Sequence, residues 1–151
     1  MSESKLRSQS MDFSVDIINL VRDLKARRET IVSGQIGRSG TTIGANIHEA
    51  QYAQGKKDFI SKFEIALKEA NETGYWLELL YRTNYVDEQT YKAFSAKCTS
   101  IRVMLIASCR TIKENAKSNT DAVFAWVLRK SPTGLFCFAT FSKPEIFPNP
   151  L

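Results

Sequence analysis

With 151 residues, 43% of them hydrophobic and 25% charged, the chain has the size and composition of about one globular domain, which excludes wholesale disorder and a polytopic membrane protein. Three cysteines, Cys98, Cys109 and Cys137, form an odd count without metal or redox spacing; this argues against a disulfide framework and for a reducing cytoplasm. The formal charge of +5 permits an acidic partner such as RNA or DNA without requiring one.

The opening MSESKLRSQS carries no apolar run behind its basic residues, so no secretory signal is expected and residues 1–11 read as a flexible N-terminus. Between Asp12 and Arg28, Phe13, Ile17, Leu20, Val21 and Leu24 recur at three- and four-residue steps, which predicts a first helix with one apolar stripe. Val32, Ile36, Gly40, Ile43, Ile47 and Ala50 repeat that spacing and predict a second helix over Val32–Ala53.

This second segment contains GQIGRSGTTIGAN, from Gly34 to Asn46. A phosphate loop needs G-x-x-x-x-G-K-[ST], but here five residues separate Gly34 from Gly40 and Thr41 stands in the lysine position. The dinucleotide pattern G-x-G-x-x-G fails as well, because no two glycines are two apart. At about 100° per residue, Gly37, Gly40 and Gly44 instead fall along one flank of the isoleucine stripe. A glycine costs about 1 kcal/mol against alanine inside a helix, so a row of them implies close approach of another helix.

Phe59, Phe63, Ala66, Ala70, Gly74, Leu77 and Tyr81 predict a long third helix over Lys56–Arg82. Phe94, Cys98, Ile101, Leu105, Ser108 and Ile112 predict a fourth over about Thr90–Lys117, with Asp87 as its cap. Short connections near Glu29, Gly55 and Asn84 make successive helices antiparallel, giving an all-α, up-down-up-down four-helix bundle over residues 12–117. Residues 118–151, with AVFAWVL, LFCFATF and four prolines, read as an irregular apolar tail with some aggregation risk. No run spans a bilayer.

The stretch from Gln35 to Leu80 contains RSGTTIGANIHEA (38–50), KKDFISK (56–62) and IALKEANETGYWLELL (65–80). It resembles the small bacterial four-helix-bundle proteins encoded in intervening sequences of 23S ribosomal RNA genes, the S23 ribosomal protein family. The looser similarity runs over about residues 12–117. The resemblance implies protomers that assemble into a barrel-like homopentamer without enzymatic activity. In a distant branch similar to it, the accessory proteins of diversity-generating retroelements, a basic ring holds nucleic acid and a reverse transcriptase. Gly55 stands where relatives open the third helix with serine, and Arg102 makes the fourth helix more basic than theirs.

No catalytic, metal or cofactor constellation emerges. A di-iron bundle needs two Glu-x-x-His pairs, and His48 is the single histidine. Asn46 and Glu49, in the ANIHEA motif, read as polar anchors across helices or to a neighbouring subunit, and Gly37, Gly40 and Gly44 as packing or assembly positions. Tyr75 and Trp76 could stack on bases, though burial or a subunit contact is the commoner use at helical spacing. Between Gln89 and Lys117, six basic residues face the single Glu114. Lys92, Arg102, Arg110, Lys113 and Lys117 gather within about 80° of one another, while Lys97 points elsewhere. Such a stripe is either a solvated basic face or a cradle for RNA or DNA phosphates. The sequence therefore leaves two non-enzymatic readings, a nucleic-acid-binding oligomer and a protein scaffold.

Overall fold

The computed structural model describes residues 5–129, with side chains from Lys5 to Glu114. Four helices follow one another, α1 (Lys5–Ala26), α2 (Ile31–Ala50), α3 (Lys56–Arg82) and α4 (Glu88–Arg129), and no strand occurs among the described residues. Their directions follow from which ends meet. Arg7, early in α1, donates to Gln51 just past α2 at 3.1 Å, and Lys62, early in α3, reaches Glu49 near the end of α2 at 2.6 Å. Tyr81, late in α3, stacks on Tyr91 near the start of α4, with ring centres 4.8 Å apart. Each neighbour therefore runs antiparallel to the last.

Two boundaries differ from the periodicity. Residues 5–11 are helical and not a loose N-terminus, because Leu6 and Ser10 are buried and carry the seam of α1 back to Lys5. The fourth helix does not stop at Lys117: the first part of the expected irregular tail is helical backbone as far as Arg129. A compact unit spans Met1–Ala116 and a second begins at Lys117. The remainder of the expected tail, residues 130–151 with LFCFATF and Cys137, lies outside the described residues.

Inside the first unit the four apolar stripes meet. Phe13, Ile17 and Leu24 of α1, Ile36 and Ile43 of α2, Leu77 and Leu80 of α3, and Ile101 and Leu105 of α4 are all fully buried, each contributing about 1.5–3 kcal/mol. The glycines let two of these stripes close up. A Cβ on Gly40 would stand 2.8 Å from Cγ1 of Ile17, one on Gly37 3.2 Å from Val21, and one on Gly44 3.3 Å from the carbonyl oxygen of Ser10. Their partner is α1 of the same chain. One buried polar contact crosses the seam between α2 and α3: the Thr73 hydroxyl donates to Ser39 Oγ at 3.0 Å.

The turns are held by polar side chains. Arg28 and Asn84 take left-handed conformations, with φ of 62° and 59°, after α1 and α3. There the amides of Glu29 and Tyr85 close back onto the carbonyls of Leu24 and Leu80. Glu29 then caps α2. Its carboxylate accepts from the backbone N–H of Ile31, Val32 and Ser33 at 2.8, 2.7 and 2.6 Å, three donors that a helix start leaves without partners. Glu29 is only 5% exposed; burial opposes its charge, but the three N–H donors outweigh burial and hold its carboxyl below the ordinary glutamate range. At α4, Asp87 accepts from the N–H of Thr90 at 2.7 Å, which likewise lowers its carboxyl.

Two stability outcomes follow from these contacts. Gly40→Ala forces the buried Ile17 to move and should cost about 1–3 kcal/mol, whereas Gly74→Ala, with nothing within 4 Å of the added carbon, should gain up to about 1 kcal/mol. Urea midpoints in the opposite order would contradict the close approach of α1 and α2. Glu29→Gln should lower stability at neutral pH by about 0.5–2 kcal/mol. Because the folded carboxyl titrates below the unfolded one, this contribution is complete above the ordinary glutamate range and fades as pH falls through the lowered value. Denaturation curves of wild type and variant should therefore converge in acid; a gap that persists at low pH would place the effect elsewhere.

Candidate nucleic-acid interface

The basic stripe of α4 emerges from a core-facing helix, so its direction is set by Cys98, Ile101, Leu105 and Cys109, all buried. Lys97 leaves on the α1 side and binds Asp16 at 2.5 Å. Lys92, Arg102, Arg110 and Lys113 leave on the other flank. The side chain of Lys117 lies outside the described residues.

Charge on that flank is largely compensated. Lys92 pairs with Glu88 at 2.6 Å, Arg110 with Glu114 at 3.0 Å and Lys113 with Glu64 of α3 at 2.7 Å. The Glu64 hydrogen bond also raises the affinity of Lys113 for its proton. Arg102 differs: its Nε is buried without a hydrogen-bond partner. Among the described residues, it is the member of the stripe left without a carboxylate. Exposed ion pairs are worth only about 0–1 kcal/mol, so a phosphate could displace these carboxylates, but the local field is far weaker than a count of lysines and arginines implies.

The same flank is not purely polar. Val103 and Ile106, between Arg102 and Arg110, are 60% and 49% exposed, and on the outside of α1 Met11, Val15 and Ile18 are exposed to 56%, 51% and 44%. These side chains look away from a core that is already complete. The sequence reading took only core stripes from the apolar spacing and so passed over both outer faces.

The remaining singled-out residues have local roles. The Asn46 amide donates to the Thr42 carbonyl in its own helix at 3.0 Å, and among the described residues no bond from it crosses to another helix. Glu49 does cross, to Lys62. Arg38 binds Glu72 of α3 at 2.5 Å, and the same carboxylate accepts the indole N–H of Trp76 at 3.2 Å. Tyr75 stays exposed, edge-on to Trp76. His48 lies against Tyr52, ring centres 5.7 Å apart.

Chemistry at the thiols is unfavourable. Burial pushes the Cys98 thiol up to about 11 and raises that of Cys109, so both are protonated near neutrality and are poor nucleophiles. Among the described residues, no group of three or more histidine, cysteine, aspartate or glutamate side chains could hold a metal ion, and no helix is long and apolar enough to cross a membrane.

Comparison with known proteins agrees with this architecture. A family model described as 23S rRNA-intervening sequence protein matches residues 2–107. A crystal structure of a protein of unknown function from the S23 ribosomal protein family of Bacteroides thetaiotaomicron is 48% identical, covering 69% of this chain and 97% of that one, with a TM-score of 0.68. Among curated proteins, none matches.

Proposed function

The chain belongs to the 23S rRNA-intervening sequence protein family, and from that premise we propose that it works without catalysis, as a self-associating helical scaffold in the cytoplasm. The observation that carries this reading is the pair of exposed apolar faces, Met11–Val15–Ile18 on α1 and Val103–Ile106 on α4, on a bundle that needs neither for its own core. Apolar centres rimmed by satisfied ion pairs are the anatomy of a protein interface. The glycine row lends no support, since α1 already fills it. The buried reduced thiols, Cys98 and Cys109, fit a reducing compartment. The family resemblance makes five chains the stoichiometry to test. Light scattering after gel filtration should give about five chain masses, and a single chain mass throughout the micromolar range would overturn the scaffold.

A second reading, contact with RNA or DNA through α4 in the manner of the retroelement accessory proteins, is favoured by Arg102, whose Nε is left without a partner among the described residues, and by the net charge of +5. Glutamate at Arg102, Arg110 and Lys113 should then abolish retention of either nucleic acid at low salt. Single replacements that each remove one phosphate interaction should flatten the slope of log affinity against log salt by about 0.7–0.9. Wild-type protein that retains neither RNA nor DNA at low salt leaves the scaffold alone.

A further inference from the structure

The two ends of the bundle are finished differently. At one, Tyr81 of α3 stacks on Tyr91 of α4, with ring centres 4.8 Å apart. At the other, α4 lines the start of α3 with Ala107, Ser108 and Thr111, and side chains this short leave the space between the helices unfilled. What remains is an apolar groove of about 600 Å³ to which all four helices contribute. The buried Leu6, Ile47 and Phe63 form its floor, and the half-buried Phe59 and Ile112 its walls. A second hollow of about 360 Å³ shares Gln51, Phe59 and Ile112 with it and extends along the α2–α3 turn to Lys56. Size and lining are those of a small-molecule site between the helices of a bundle.

The polar groups narrow the ligand. Thr111 turns its hydroxyl back to the Ala107 carbonyl at 3.0 Å, and Gln51 gives its side-chain oxygen to Arg7 at 3.1 Å. Of the side chains lining the larger groove, that leaves the Ser108 hydroxyl and the Gln51 amide nitrogen. A peptide brings an N–H and a C=O at every residue and would leave most of them unmet here, at a cost for each. A hydrocarbon chain asks for none. Charge then selects the head group. Lys56 is the one charged side chain that lines either hollow; it is exposed and has no ion pair among the described residues. The nearest carboxylate along the chain, Asp58, accepts from the Gln54 N–H at 3.2 Å and lines a separate hollow with Lys57. Gly55 gives α3 no side-chain cap, so the positive end of the helix adds to the lysine.

We propose that this groove binds a medium-chain alkyl carboxylate, its hydrocarbon on Leu6, Ile47 and Phe63 and its head group at Lys56. One chain supplies the whole lining, so the site is complete in a single copy and stands whether or not the protein self-associates.

The test is equilibrium dialysis of the full-length protein against decanoate, decanol and decyltrimethylammonium, probes with one tail and three head groups, each kept below the concentration at which it aggregates. Decanoate should bind one per chain, about fivefold more tightly than decanol, the upper range for an exposed ion pair, with decyltrimethylammonium weakest. Lys56→Glu should reverse the order of decanoate and decyltrimethylammonium. Ala107→Trp fills the groove from an exposed position and should abolish binding of all three with helicity by circular dichroism unchanged; Thr111→Trp, also exposed, replaces it if helicity is lost. Wild-type protein without saturable decanoate binding overturns the site, as does a groove-filling variant that binds like wild type. Equal affinity for the three head groups, or an order that Lys56→Glu leaves alone, overturns the carboxylate. A groove-filling variant whose mass by light scattering differs from wild type shows that a second copy occupies the groove, and overturns the site as well.

Discussion

The approach of α1 to α2 is the constraint on which the surface of this protein depends. Ile17 occupies the space that a side chain at Gly40 would take, and Ser10 and Ser14 do the same at Gly44. With α1 held so close, Phe13, Ile17, Leu20 and Leu24 are committed to the interior, and a helix that commits one face inward fixes what its other face presents. Met11, Val15 and Ile18 are exposed for that reason. Widening the approach would rotate or lift α1 and change the outer stripe together with the core, so packing and surface display are one property here.

Electrostatics acts at a second level, on the ends and seams of the helices. Glu29 directs its carboxylate to the start of α2, and Glu64 and Glu88 direct theirs to lysines of α4. A buried carboxylate with three N–H donors fixes a turn in place, because removing any part leaves donors without water or partner. The exposed pairs hold far less; their effect is to mute the field of α4. Arg102 stands out against that background because its neighbours have been answered and it has not.

Much of this was legible in the sequence, and the limits have physical causes. The four apolar periodicities gave the helices, the short connections gave their order, and Asp87 was readable as a cap because aspartate is a preferred one. Glu29 was not, since a glutamate reaching over Thr30 to three amides is a local arrangement outside the common cap patterns, which favour serine, threonine, aspartate or asparagine. The glycine row announced a close neighbour but not its identity: small residues say how near a helix can come, not which helix comes. Charge counting along α4 missed Glu64 because it belongs to α3, and missed Glu88 because it lies one residue before the counted stretch. The buried polar tie across α2 and α3 fell to Ser39 and Thr73, small hydroxyls inside apolar stripes, where Asn46 looked the better anchor and bonds its own helix instead.

A bundle of this kind can serve through its outside alone. Its core is satisfied by one chain, so any selection on the outside shows as apolar exposure that stability does not require. Lysines and arginines on a helix are ambiguous, because solubility alone accounts for them. Exposed valine and isoleucine beside an unanswered arginine are less so, since water gains nothing from either. A phosphate backbone would use the arginine and leave Val103 and Ile106 wet, whereas a helix from another protein uses all three. The mixed character of the α4 face therefore weighs toward protein contact, and it does so on the same few residues that a nucleic acid would have to reach.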